Sequence, residues 1–194
     1  MSAITFTIGP DGSVEILAMN TREDLGNDFK FFIGQAKTYD PTNLETMFLH
    51  QRYLRAALLT LFAYAEAVVN GWLHLYLEDR EMLFLFERLQ HECLDRKIEI
   101  LREAAMAEMA KPNVAEARKV RNLLVHFTPG REGEAFEKMS LALVESAASE
   151  LNRWMTEMES TLGLQRHPDS EQLVRSFANE IGTTTKDVSS DPDK

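Results

Sequence analysis

The sequence has little that could staple or punctuate a fold: among 194 residues there are one cysteine, six prolines and nine glycines. The single Cys93 excludes an internal disulfide, and no Cys/His cluster has zinc-ligand spacing, so no metal site is expected and a reducing cytoplasm is the natural home. There is no internal repeat and no Gly-rich phosphate loop, which removes the common nucleotide-cofactor signatures. The opening "MSAITFTIGP" lacks both a basic start and a long apolar run, so no secretory signal is expected. One apolar run is long enough for a bilayer: "AALLTLFAYAEAVVNGWLHLYL", residues 56 to 77. It contains Glu66, which near a bilayer midplane costs about 2.5 to 3.5 kcal/mol even on a lenient scale. Asn70 and His74 add to that cost. The run therefore reads as a central bundle helix covered by its neighbours, not a membrane span.

What is present favours helices packed on helices. The hydrophobic share of 44% with 27% charged residues is that of an ordinary globular domain, and eleven Phe and nine Met outnumber the breakers. The length suits one domain with appendages. The chain opens with a hairpin signature, "ITFTI" and "SVEIL" around the turn residues "GPDG". Residues 21 to 38 read as a short helix or packed connector. "YDPTNLETM" then starts a helix, with Thr42 and Glu45 at capping-box spacing, and no breaker follows until Gly71, so this helix runs from about 42 to 78. A second long helix is expected over 80–110 and a short third one over "VAEARKVRNLLVHF", stopped by Thr128, Pro129 and Gly130. A fourth follows over 133–161 and a fifth, shorter one over 167–182. The tail "TTTKDVSSDPDK" has too little apolar content to fold. The expected class is all-α: an up-and-down bundle of four to five helices with an N-terminal β-hairpin. Residues 1–40 would form the hairpin and connector, 41–182 the bundle and 183–194 a disordered tail.

Within the third helix, "KVRNLLVHF" sets Arg121 beside Asn122 and places His126 four residues after Asn122, on the same helical face. Leu123, Leu124, Val125 and Phe127 would hold the helix in the bundle and display the polar trio. Such a trio has chemical sense. Histidine titrates near neutral pH, a planar guanidinium matches phosphate oxygens, and an amide orients either.

"RNLLVH" resembles the signature of the HEPN superfamily (higher eukaryotes and prokaryotes nucleotide-binding): arginine, commonly asparagine, a few mostly apolar residues, then histidine, late in a bundle of four or five helices. "FAYAEAVVNGW", residues 62 to 72, looks like that family's long helix, which often carries an acidic residue facing the site. The resemblance covers roughly residues 42 to 162. It implies a metal-independent endoribonuclease, needing no cofactor, whose composite site forms when two protomers of a homodimer bring their Arg/His helices together. Carried over, Arg121 would stabilise charge on the phosphate, His126 would move protons, Asn122 would orient the pair and Glu66 would hold the arginine or histidine. The products would be a cyclic phosphate and a free 5'-hydroxyl. Many members act as toxins beside an antitoxin or serve phage defence. The residues after the histidine, "FTPGRE", lack the tyrosine motif on which some antitoxins act.

Charge cuts both ways. The formal net charge of −10 repels nucleic acid at long range. Between residues 111 and 131, however, Lys111, Arg118, Lys119, Arg121 and Arg131 face Glu116 alone, five against one for a local +4, so Arg118, Lys119 and Arg131 are candidate RNA-binding residues. Structural roles compete: Arg121 could pair with a bundle glutamate, His126 suits a helix end, and Glu66 in so apolar a helix needs a partner in any case. His50, His74, His91 and His167 read as structural or surface residues, Trp72, Trp154 and the Phe-rich segments as core, and "DRKIEILR" as a solvated helix face. Two functions follow: a HEPN-type ribonuclease acting on RNA, or a non-catalytic HEPN-like module that binds nucleotide, RNA or a protein partner.

Overall fold

The computed structural model describes residues 2–8, 14–105, 108–126 and 133–163. Two compact units divide the chain: Arg22–Arg166, and the two termini, residues 1–21 with 167–194. In the terminal unit, strands β1 (Ser2–Ile8) and β2 (Val14–Asn20) pair antiparallel, with Ser2 opposite Asn20 and Ile8 opposite Val14. The expected fifth helix over 167–182 and the tail lie outside the described residues.

The larger unit is all-α. Helix α1 (Thr21–Thr38) has 18 residues and decides between the short helix and the packed connector that its crowded phenylalanines left open. Its buried His50 partner shows why it belongs to the bundle: His50 on the next helix donates through Nδ1 to the Ala36 carbonyl at 2.8 Å. Arg22 in its first turn lies across Gly71, where an added Cβ would stand 2.7 Å from the guanidinium and the arginine would have to shift to relieve the contact. Burial pushes the Arg22 pKa below its ordinary value.

Helix α2 (Leu44–Glu78) is the central element and is long and apolar enough in length and composition to cross a membrane, with half of its most apolar stretch buried against the bundle. It starts two residues later than the capping-box reading. Asn43 is the N-cap, accepting from the Glu45 N–H at 2.9 Å, because Asp40 takes Thr42 through both its N–H and its hydroxyl. The helix ends in a Schellman arrangement: Met82 N–H bonds Leu77 O, Glu81 N–H bonds Glu78 O, and Glu81 sits at φ 58.

That cap also ends the continuous 80–110 helix expected from spacing. A 3-10 turn (Leu83–Leu85) leads into α3 (Phe86–Leu89), and α4 (Leu94–Ala104) starts afresh after an extended Cys93. The five-residue step from Leu89 to Leu94 breaks the three-to-four spacing that one helix would need. Helix α5 (Ala115–Val125) is followed by α6 (Glu134–Lys138) and α7 (Leu141–Leu162). The expected single helix over 133–161 is split because Met139 is extended and buried and Ser140 caps α7, accepting from Leu143 N–H at 3.2 Å. Gly163, at φ 67, closes α7 in the left-handed conformation that glycine adopts at no steric cost.

The core gathers where α4, α5 and α7 meet α2. Trp72 and Trp154 lie fully buried with ring centroids 6.1 Å apart, among Leu54, Leu58, Leu73, Ile98, Leu101, Leu151, Met155 and Met158. The tryptophans fulfil their expected place, but the Phe-rich segments do so only in part. Phe31, Phe48, Phe84 and Phe136 are exposed.

Candidate functional site

The polar trio stands at the C-terminal end of α5. Ala117 and Val120 anchor that helix in the core, and Leu124 packs on its edge. Arg121 is half-buried and donates through Nη1 to Asn122 Oδ1 at 3.1 Å; Asn122 itself is exposed. His126 is exposed and is the C-cap rather than a helical residue, with φ −108 and ψ 107, and its N–H bonds Asn122 O. The one-face spacing of Asn122 and His126 therefore does not apply. The cause is in the sequence: Pro129 would leave Val125 O without a donor and clash with it if the helix continued. Arg121 and Asn122 act as one hydrogen-bonded pair, and His126 is tied to Asn122 through backbone.

Glu66, on α2, has a different bond. Lys97 Nζ donates to its Oε1 at 2.8 Å, and the lysine side chain is fully buried while the carboxylate is 39% exposed. The partner that an apolar helix demands for Glu66 is thus a lysine on α4. Lys97 corrects the reading of "DRKIEILR" as a solvated face: it lies on the same stripe as Leu94, Ile98 and Leu101. The signal was available, since a lysine at i+3 from Leu94 falls on the apolar side of the helix. Burying an ammonium costs several kcal/mol unless it is paired, which Glu66 achieves at the protein's edge.

The cations around the trio are also engaged. Arg118 pairs with Asp95, Lys111 with Glu99, and Lys119 with Glu116 at 2.7 Å; Arg131 lies outside the described residues. Lys111 and Arg96 hold the Glu99 carboxyl below the usual carboxylate range, and Lys119 does the same for Glu116. The local +4 omits Asp95 and Glu99, which come from α4, so the described part of the segment is close to charge-balanced. A 170 Å³ cleft between α4 and the start of α5 is lined by Asp95, Ile98, Lys111, Asn113 and Arg118. Asn113 N–H and Arg153 meanwhile hold Glu150 below its ordinary range.

Of the other histidines, His74 packs edge-on against Phe86 at 5.1 Å and His91 is exposed; His167 lies outside the described residues. Among the described residues, no group of three or more His, Cys, Asp or Glu side chains is placed to hold a metal ion. Fold and site together define a helical-bundle protein with an exposed Arg–Asn–His helix end. Compared with known proteins, the chain matches no family model, no curated protein and no solved structure.

Proposed function

We propose that the protein is a HEPN-type, metal-independent endoribonuclease of the cytoplasm, with the N-terminal hairpin as an appendage to its bundle. In this reading it works as a homodimer in toxin or phage-defence biology, with or without an antitoxin partner. The observation that carries the proposal is the accessible end of α5, where Arg121 is hydrogen-bonded to Asn122 and His126 caps the helix at the surface. Arg121, oriented by Asn122, would hold the scissile phosphate and stabilise the charge that grows on its oxygens. His126 would take the proton from the ribose 2'-hydroxyl, and its counterpart in the second protomer would protonate the leaving 5'-oxygen, giving a cyclic phosphate. Glu66 is given a supporting role through Lys97 rather than direct contact with the trio. RNA binding by Arg118 and Lys119 requires phosphate to compete with Asp95 and Glu116, which makes it strongly salt-dependent.

The pairing of these cations also favours a second reading, a non-catalytic HEPN-like module that binds a nucleotide, RNA or protein partner. Cleavage of total cellular RNA in EDTA, by the native protein beside a folded His126→Ala variant, separates the two. The ribonuclease reading expects metal-independent cleavage that falls at least about a hundredfold in the variant, the usual weight of a general acid or base. Equal behaviour of both proteins supports the binding module.

A further inference from the structure

Among the described residues, one face of α2 stays open to solvent over its N-terminal part. Leu44 is 76% and Phe48 68% exposed, and Leu59 and Ala63 are exposed further along. At 100° per residue these four, with Arg52, Arg55 and Glu66, fall within about 100° of arc and so form one stripe. Phe136 of α6 borders it, half open to solvent, with the Arg55 guanidinium 4.7 Å from its ring centre. A run of large exposed apolar residues on a rigid core helix marks a contact surface rather than a random scatter.

We infer that this stripe is the contact between two copies of the chain. The order of charges along it argues for a second copy over an unrelated partner. Arg55 stands one turn before Leu59, and Glu66 about one turn after Ala63, so the charges flank the apolar pair with opposite sign. An antiparallel second α2 crossing at Leu59 and Ala63 places each Arg55 against the partner's Glu66, twice over, as a two-fold interface requires. Ala63 is small enough to let the two backbones approach. Glu66 suits the role because Lys97 fixes one of its oxygens and its side chain remains 39% exposed. Through Phe136 the stripe adjoins α6, which packs on α5, so the two polar helix ends lie on the elements next to this contact. The inference supplies the second protomer that the proposed composite site requires; it rests on that reading for its purpose, while its geometry is independent of it.

Sedimentation equilibrium tests the contact without RNA. The native chain should sediment at twice 22.1 kDa, and Ala63→Arg and Leu59→Asp should both return it to 22.1 kDa with an unchanged helical circular dichroism spectrum. Both sites are exposed, and if one variant loses helix the other still decides. Arg55→Glu should weaken the dimer at least about tenfold, the effect of about 1.4 kcal/mol. A native monomer at about 100 μM, well above the Kd of a functional dimer, overturns the inference, as does a dimer that survives both Ala63→Arg and Leu59→Asp. The outcomes stay separable: a dimer that cuts no RNA but falls apart in both variants sinks only the ribonuclease reading, and an RNA-cutting dimer that survives both substitutions sinks only this interface.

Discussion

The second half of α2 carries Leu61, Phe62, Ala65, Val68, Val69, Trp72, Leu73 and Leu77 into the core and exposes Leu75, whereas the first half buries Leu54, Ala57 and Leu58 but leaves Leu44, Phe48 and Leu59 in solvent. The first half mixes Glu45, His50, Gln51, Arg52 and Arg55 with its apolar residues, whereas the second half has only Glu66 and Glu78 as charged residues. The second half packs Trp72 on Trp154 of α7 and bonds Glu66 to Lys97 of α4, while α1 lies along both halves, at His50 and at Gly71. Apolar content alone does not distinguish core from contact surface. The polar residues of α2 follow the same division. Glu66 sits at the seam, bonded inward to Lys97 and still half open.

Substitutions can break this contrast, beginning in the covered half. Trp72→Ala, which empties the space against Trp154, should cost about 3 to 5 kcal/mol in denaturant unfolding, and a loss under about 1 kcal/mol would show that this half is not the core. At the seam, Glu66→Ala leaves the buried Lys97 ammonium without its counter-charge and should cost about 3 kcal/mol. Lys97→Met fills the same space without a charge and leaves only a half-exposed carboxylate, so thermal melting should show a much smaller loss. If the two variants melt alike, the burial asymmetry of this pair has no energetic meaning. In the open half, Phe48→Ser should change unfolding free energy by less than about 0.5 kcal/mol while weakening self-association. The smallest effect is acid loosening of the 111–119 segment. Glu99, Glu116 and Glu150 have folded pKa values below their unfolded ones, so their contribution is present above the unfolded carboxylate range, about pH 4.3, and is lost as pH falls through the depressed values. Protection factors of the α5 amides, corrected for the intrinsic rate, should therefore fall below about pH 4, and only slightly, because none of the three carboxylates is buried.

Much of the bundle was legible in sequence because its signals are local. The long helix about Glu66, a short helix ending shortly before Thr128 and Pro129, and the buried tryptophans all follow from spacing and breakers. Helix α1 stayed undecided between helix and connector because its phenylalanines are crowded rather than periodic. The splits at residues 79–93 and 139–140 depend on single residues, Glu81 in a left-handed turn and Ser140 as a cap, that compete with otherwise helical runs. At the site, Arg121 and Asn122 emerged as a hydrogen-bonded pair, but His126 left the helix by one residue, enough to change which face it shares. Lys97 and the pairing of Arg118 with Asp95 were missed because the partners lie 31 and 23 residues away in sequence, beyond the reach of any local pattern.

The account joins an exposed Arg–Asn–His helix end to a second copy held along α2, and RNA cleavage by the Ala63→Arg variant tests that junction most directly. With Arg121, Asn122 and His126 intact, the variant should be monomeric and should cut RNA in EDTA at least about a hundredfold more slowly than the native protein, since the proton donor of the second protomer is gone. A monomeric Ala63→Arg protein that cuts RNA at the native rate would contradict it.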